Sequence, residues 1–572
     1  MRSNESAKRL SLLDWTTIGC ALVVALGLRA YHLGTPDFWL DELHSLSNSA
    51  GWRAELEALP HGILLQSAPR FTELTGESTV TKAWHTMRHD GHPPLYFVLL
   101  LAWRRLVGDG EFAVRFLSVL LSVASILPAA LMAREWGRAR LAPWVAFVLA
   151  FSFGHIRMAQ ENRPYALSIL LVTVATWLLV RMERRRSHYS TNSAVPTGLT
   201  LVEGDSDPAL KCGATFGRPS GTQSGDAVTS WKESGGMNNL NRFAMFPTAA
   251  SYAVVVWLAM MNHYFAALAL LAHGMYAALR FRGNLLRGWM IAVGAAAAIW
   301  MMTWGAVFLS QRDFIAAQDW LREDRADHVF RSFIRFLDLP VRLLFDHEVF
   351  ALTTGKALIG AAILVGAAIV VIRKRLQEAW LPALWVLCPM VAFLVIDLAT
   401  GRQMLSHLRY TSVVVPGLAI LLVFVVAELP KVWRAALAVT FFLTSALLLS
   451  LPTPQNPHSR EAAALLAANV RPGEPVIYDA IEWPRFWASS MYLTVSYYQP
   501  EPMAPVVLLR ESPSTELLRQ LESYPRLHVI SPRVGVDVNP LPERFERVSK
   551  SEHIEGIGWG YVFEERELRT EK

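Results

Sequence analysis

Phe38-Trp39-Leu40-Asp41-Glu42-Leu43-His44-Ser45 follows an apolar stretch running from about Trp15 to Tyr31, and it sets two adjacent carboxylates where such a stretch would leave a bilayer. A carboxylate in a loop with aromatic neighbours at a membrane surface is partly desolvated yet still accessible. That combination suits a base acting on a lipid-borne substrate. The plainer alternative is a solvated turn, since most acids lie on the surface.

Choosing between these depends first on whether the chain is a membrane protein. Of its 572 residues 53% are hydrophobic, only 18% are charged and twenty are Trp, giving a mean hydropathy of +0.28. This is the composition of a polytopic membrane protein rather than of a soluble enzyme. The formal net charge is +6, but the arginines fall in short clusters between apolar spans, as inner-leaflet anchors do. No nucleic-acid partner is therefore expected. Cys20, Cys212 and Cys388 imply no disulfide framework. The first span follows Arg2, Lys8 and Arg9 without an Ala-x-Ala cleavage site, so it reads as an uncleaved signal anchor.

Spans of roughly twenty residues can be laid out by keeping Arg-rich loops cytoplasmic. Helix one covers about 15–33, and residues 34–111 form a long outer loop in which Pro93 to Val107 is amphipathic but too short to cross. Helix two (about 112–133) returns to Arg134-Glu135-Trp136-Gly137-Arg138-Ala139-Arg140, helix three (about 141–159) leads out to Gln160-Glu161-Asn162-Arg163, and helix four returns to the basic run Arg181 to Arg186. Residues 187–241, rich in Ser, Gly, Thr and Asn, read as a disordered cytoplasmic linker. Helix five then rises to Asn262-His263-Tyr264, helix six descends to Arg280-Phe281-Arg282, helix seven (about 287–309) leads to an outer loop at 310–350, and helix eight returns to Arg373-Lys374-Arg375. Three more helices follow, with Gly401 to Arg409 outside and Lys431 to Arg434 inside.

The expected architecture is thus an α-helical polytopic membrane domain of about eleven transmembrane helices, residues 10–451, followed by a small α/β outer domain, 452–572. In that tail a helical stretch, Arg460 to Val470, alternates with the apolar runs Pro475-Val476-Ile477-Tyr478, Val506-Val507-Leu508-Leu509 and Leu527-His528-Val529-Ile530-Ser531. One feature runs against the assigned sidedness: Arg312, Arg322, Arg325, Arg331, Arg335 and Arg342 all fall in the 310–350 loop.

With this topology Asp41, Glu42, His92, Gln160, Arg163, His263, Tyr264, His407 and Arg409 share the outer surface. His92-Pro93-Pro94-Leu95-Tyr96 closes the first outer loop, its prolines fixing the chain as it enters the apolar segment. Gln160-Glu161-Asn162-Arg163-Pro164-Tyr165 begins helix four, so Arg163 stands beside a helix N-terminus whose free N–H groups also favour an anion such as phosphate. Snorkelling is the alternative for Arg163. An interfacial aromatic belt is the alternative for Asn262-His263-Tyr264 and for Ser406-His407-Leu408-Arg409-Tyr410.

Taken in order, Phe38-Trp39-Leu40-Asp41-Glu42, His92-Pro93-Pro94-Leu95-Tyr96, Gln160-Glu161-Asn162-Arg163-Pro164-Tyr165 and Asn262-His263-Tyr264-Phe265 resemble the C-type glycosyltransferase superfamily. The likeness is to its bacterial branch, similar to dolichyl-phosphate-mannose protein mannosyltransferases and aminoarabinose transferases, and it covers about residues 10–430. It implies an integral enzyme of the bacterial inner (plasma) membrane that takes a sugar from a polyprenyl-phosphate carrier. Transfer, with inversion, goes to an acceptor on the extracytoplasmic side. The acceptor class, lipid, glycan or protein, stays open. The resemblance makes Asp41 the general base with Glu42 supporting it, and puts Arg163 on the lipid phosphate. Arg409 is expected to join Arg163 there, with His92, Tyr165, His263 and Tyr264 lining the substrate. Two departures stand out: the long linker, and the lack of a second matching acidic motif, for which Asp313, Asp319 and Glu323 are candidates.

The residues fit that chemistry independently. A positioned carboxylate that takes the acceptor's proton during attack contributes a factor of about 10²–10⁴. A lipid phosphate leaves without a general acid if its charge is met by cationic donors. No certain cofactor is implied: a divalent metal could assist, although the sequence offers no spaced His/Cys cluster to hold one. The competing reading is a transporter or flippase of lipid-linked sugars, whose signature would be paired, interrupted helices in two similar halves. The sequence contains no such repeat.

Overall fold

The computed structural model describes residues 10–192, 247–316, 322, 327–345, 353–451, 459–481, 487–499, 504–531, 545–547, 552–554 and 558–565. Its helices are α1 (Leu12–Ala30), α2 (Leu40–Ala50), α3 (Leu95–Val107), α4 (Glu111–Glu135), α5 (Ala142–Phe151), α6 (Phe153–Ala159), α7 (Tyr165–Asn192) and α8 (247–262). The bundle continues with α9 (Ala266–Arg280), α10 (Asn284–Trp300), α11 (Ala306–Ala316), α12 (His328–Phe345), α13 (Thr353–Arg373), α14 (Trp380–Thr400), α15 (Val415–Ala427) and α16 (Lys431–Ser450). In the tail lie α17 (Ser459–Asn469), α18 (Trp487–Ser496) and α19 (Thr515–Leu521).

Local chemistry sets the ends of these helices. At the start of α1, Ser11 and Asp14 cap each other: the Asp14 N–H donates to Ser11 Oγ at 3.1 Å and the Ser11 N–H to Asp14 Oδ2 at 2.9 Å. α14 stops at Gly401, whose φ of +69° is a left-handed conformation that glycine adopts without a Cβ clash. α13 and α16 expose Leu358, Ile369, Val439 and Leu443, as lipid-facing helices do.

Among the described residues eight helices are long and apolar enough to cross a membrane, and one bent pair would make a ninth. The protein is thus an integral membrane protein of the expected helical class. The other two expected spans are also helical, at 247–262 and Ala266–Arg280, but the second has only 15 residues. α7 runs on to Asn192, past the 187 boundary expected for the linker, whose remainder from 193 to 241 lies outside the described residues.

The bent pair corrects the third span, which the sequence presents as continuous. α5 and α6 meet at Ser152 with a bend of 62°. The break frees carbonyls that hydrocarbon cannot satisfy, and the buried Arg29 takes them: Nη1 donates to Ala150 O at 3.1 Å and Nη2 to Leu149 O at 3.0 Å. The bend aims α6 at the Gln160–Arg163 turn.

Two ends of the bundle differ in chemistry. At one end the basic loops lock together: Arg138 reaches Glu378 at 2.5 Å and Glu428 at 2.8 Å, Arg280 reaches Gln377 at 3.2 Å and Glu183 at 3.4 Å, and Arg181 lies 3.7 Å from Glu135. At the other end the chain brings together the 36–45, 90–92, 160–163, 263 and 404–409 segments. The arginines of the 310–350 loop that the structure describes in detail have local partners. Arg331 pairs with Asp327 at 2.7 Å and Arg335 with Asp338 at 3.0 Å. The buried Arg342 pairs with Asp338 at 2.7 Å and donates to Leu405 O at 2.5 Å, tying α12 to the turn before Arg409.

The three apolar runs of the tail are strands β2 (Val476–Asp479), β3 (Val506–Leu509) and β4 (Arg526–Ser531), parallel in the order β3-β2-β4, with α18 and α19 as the crossovers. β7 (Gly558–Glu565) adds antiparallel to β4 and carries β5 (Phe545–Arg547) and β6 (Glu552–Ile554). On the far edge the first long loop contributes β1 (Leu64–Leu65), whose residues pair with Val507 and Val506 of β3. The largest apolar cluster accordingly runs from the bundle through Phe38, Leu43, Leu46 and Phe71 into Tyr478, Tyr492 and Leu493, while Ile477, Val507 and Val529 form a separate one in the tail sheet.

Candidate active site

The first turn of α2 carries both acids, and successive side chains on a helix point about 100° apart. Glu42 turns inward and Asp41 outward. Arg115, a charged residue inside the second span, forks onto Glu42 with Nε 2.8 Å from Oε1 and Nη2 2.6 Å from Oε2. Its other N–H groups donate to the carbonyls of Leu33, Pro36 and Asp37 at 2.9, 2.8 and 3.0 Å. Oε1 also accepts the Asn162 N–H at 2.8 Å, and Glu42 is fully buried. The sequence groups Glu42 with Asp41 as an acid at work on substrate. The structure instead commits its carboxylate to holding the turn.

Asp41 is partly exposed, and its Oδ2 lies 2.6 Å from Arg409 Nη1 and 3.9 Å from Arg163 Nη2. Arg163 is almost wholly buried, and its Nη1 donates to the Asp41 carbonyl at 2.9 Å and to Ser45 Oγ at 3.1 Å. Burial pushes the Asp41 carboxyl up, but the Arg163 and Arg409 cations outweigh it and hold the group below its ordinary value. It is therefore ionised at neutral pH. The Arg409 guanidinium also lies 5.3 Å from the ring centres of both Trp39 and Tyr410, a packing that keeps the cation beside the acid.

A second carboxylate stands behind the first. Asp90 Oδ1 accepts the His92 N–H at 3.0 Å and its Nδ1–H at 2.6 Å, while Oδ2 accepts from Asn48 at 3.0 Å. With Nδ1 donating, His92 Nε2 is left as an acceptor 3.4 Å from Arg163 Nη2. Burial raises Asp90, but His92 foremost, then Arg53 and Asn48, bring it well below the carboxylate range. His44 is hydrogen-bonded to Arg53, and burial together with that cation lowers it to about 3, so it is neutral. Asp90, His92 and Arg163 thus form a fixed chain leading to Asp41.

His263 packs against His92 and Tyr165, with ring centres 5.4 and 5.7 Å apart. Its Nδ1 accepts the Phe265 N–H at 3.2 Å, which leaves Nε2–H as a buried donor with no protein partner. Such a donor is costly unless something binds it. Tyr264 lies elsewhere: its hydroxyl accepts from Trp304 Nε1 at 2.8 Å and donates to Gln311, whose amide holds the carbonyls of Met87 at 2.6 Å and Asp90 at 2.5 Å. Expected on the substrate, Tyr264 supports the Asp90 loop instead, because its ring turns toward Trp304 and Phe308.

Glu161 adds a third acid. Its Oε2 is buried without a partner, and burial, the largest influence, pushes the carboxyl up to about 7. Of the other candidate acids, Asp319 and Glu323 lie outside the described residues. Among the described residues no three His, Cys, Asp or Glu side chains are grouped to hold a metal ion. The sequence reading missed Asp90, Ser45, Asn48 and Arg115. Signals existed for two of the four: the Asp-x-His spacing of Asp90 and His92, and a charge within the second apolar span at Arg115.

The chain has a counterpart of the same overall path. ArnT from Cupriavidus metallidurans in the apo state aligns over 96% of this chain and 97% of its own, with a TM-score of 0.54 and 13% identity. The same protein bound to undecaprenyl phosphate aligns over 97% and 98%, again with a TM-score of 0.54 and 13% identity. The chain therefore shares the fold of ArnT. A family model described as dolichyl-phosphate-mannose-protein mannosyltransferase matches residues 91–201, a stretch that contains His92, Arg115 and Arg163. No curated protein matches the sequence.

Proposed function

We propose that the protein is a membrane glycosyltransferase that takes a sugar from a polyprenyl-phosphate carrier and passes it, with inversion, to an acceptor at the extracytoplasmic surface. The observation that carries this reading is Asp41: an ionised, partly exposed carboxylate between two arginines at one end of a C-type fold. The undecaprenyl phosphate bound by ArnT and the dolichyl-phosphate-mannose named by the family model support a lipid-phosphate donor. The basic loops at the opposite end of the bundle support an extracytoplasmic site, since such loops stay inside.

In this reading Asp41 removes the acceptor hydroxyl's proton as the oxygen attacks the anomeric carbon. The bond from that carbon to the phosphate oxygen breaks with its electron pair, and the lipid phosphate departs against Arg409 and Arg163. The base is worth about 10²–10⁴ in rate, and each donor to the leaving anion about 10²–10³. Arg409 is within reach of both anions, so a phosphate that draws its guanidinium away leaves Asp41 a stronger base. His263 Nε2–H and Tyr165 line the same recess.

The test incubates purified protein with a panel of undecaprenyl-phosphate hexoses and pentoses and a membrane extract as acceptor source, and follows release of undecaprenyl phosphate. Asp41→Asn is expected to abolish release while the protein still inserts and binds undecaprenyl phosphate. Normal turnover by that variant would overturn the reading.

A further inference from the structure

Tail residues reach the base of α2 from the far end of the chain. The Phe38 N–H donates to Tyr498 Oη at 2.8 Å, and that hydroxyl donates in turn to Glu111 Oε1 at 3.1 Å. Tyr497 meets the Phe38 ring edge-on, centres 5.3 Å apart, and donates to the Asp109 carbonyl at 3.0 Å. Arg460, in the first turn of α17, gives its backbone N–H to Asp37 Oδ2 at 2.8 Å and its guanidinium to Asp37 at 3.2 Å and to Glu111. Phe38 is fully buried.

These contacts bracket the acidic turn. Asp37 and Phe38, immediately before it, are held by the tail, while Glu42, immediately after Asp41, is held by Arg115 from within the bundle. Arg104 secures the other end of α2, donating to Leu46 O and Ser49 Oγ, both at 2.8 Å, and pairing with Asp109 at 2.6 Å. The Asp109 carbonyl is the one that Tyr497 grips.

We propose that the tail is a working part of the active site and that Tyr498 is a positioning residue, capping the Phe38 amide and so setting the backbone from which Asp41 projects. This rests on Asp41 being the base. Tyr498 acts through Phe38 and not on the substrate. Loss of its hydroxyl strands a buried N–H and lets the turn drift. A misplacement of about 1 Å in a reacting group is enough to cost up to about 10²-fold in rate.

The test compares full-length Tyr498→Phe, Asp41→Asn and Tyr524→Phe in detergent, each normalised to its folded fraction. The substrate is whichever undecaprenyl-phosphate sugar the wild type turns over. Tyr524 is the control: its hydroxyl accepts from Gln66 Nε2 at 3.3 Å, a bond between tail and loop that does not involve the 37–42 turn. Tyr498→Phe is expected to lower kcat about tenfold, to leave undecaprenyl phosphate affinity unchanged, and to move the acid limb of the pH–rate profile upward. Tyr524→Phe is expected to match wild type throughout. Wild-type kcat and pH profile in Tyr498→Phe, or equal losses in the two tyrosine variants, would overturn the positioning role. Turnover by Asp41→Asn would instead overturn the base on which it depends.

Discussion

The Asp41 carboxylate lies 2.6 Å from the Arg409 guanidinium across 368 positions of sequence. The first long loop and the turn before the tenth expected span are thereby joined at one charge pair. That pair holds the Asp41 carboxylate ionised, and under the proposed function it also sets a cation beside the departing phosphate, so the two residues are expected to be coupled in any measurement.

Arg409→Met tests that coupling through pH. The Asp41 carboxyl is held below its ordinary value, so base competence is present above the carboxylate range and is lost as pH falls through the lowered value. Without Arg409 one depressing cation is gone. The acid limb of kcat/KM is expected to move to higher pH, and turnover near neutrality to fall about 10²-fold. A limb that stays in place would detach it from Asp41.

Arg163→Ala is expected to weaken undecaprenyl phosphate binding by roughly 10–100-fold, the worth of a hydrogen bond to a charged group. Titration of purified protein by intrinsic tryptophan fluorescence measures it. Unchanged affinity accompanied by lost folding would reduce Arg163 to a tie between the Asp41 carbonyl and Ser45.

Breaking the Glu42–Arg115 fork should cost stability before it costs chemistry. Glu42→Ala leaves a buried guanidinium unpaired, for which about 3–5 kcal/mol is typical, and a thermal melt in detergent reads the loss directly. Combining Glu42→Leu with Arg115→Met is expected to recover part of it, because neither charge is then stranded. No recovery would mean that the carbonyls of Leu33, Pro36 and Asp37 depend on Arg115 more than Glu42 does.

Glu161 sets a stability trend of opposite sign to Asp41. Its carboxyl is raised from 4.5 to about 7, so the folded state holds its proton more tightly than the unfolded chain. Relative to Glu161→Gln, the wild type is expected to lose stability as pH rises through that interval, with a constant difference above it. Parallel melting curves at all pH values would refute the assignment.

The bundle was legible because spans are long apolar runs, and the acidic turn because aromatic and proline neighbours mark it. The strands at 476–479, 506–509 and 526–531 were equally readable as short apolar runs between turn residues. What escaped were relations between distant positions. The resemblance gives Glu42 a supporting part beside Asp41, but what it supports becomes visible only with its partner Arg115. The only local sign of the 62° bend is the pair of small residues Ser152 and Gly154, which pack against the Leu343 carbonyl. The group that takes the freed carbonyls, Arg29, lies more than a hundred residues earlier. β1 has two residues and pairs with β3, a signal too short for any periodicity.

That short strand has a consequence for how the protein is made. The ribosome delivers Leu64-Leu65 early and Val506-Val507 near the end, so β1 has no mate until the whole bundle has been threaded into the bilayer. Pairings between such distant segments form late, because a very long loop must close first. A half-synthesised chain in the membrane already carries Asp41 but lacks the frame around it. Under the proposed function, an unfinished copy would thus hold the acidic turn without the tail contacts that brace it.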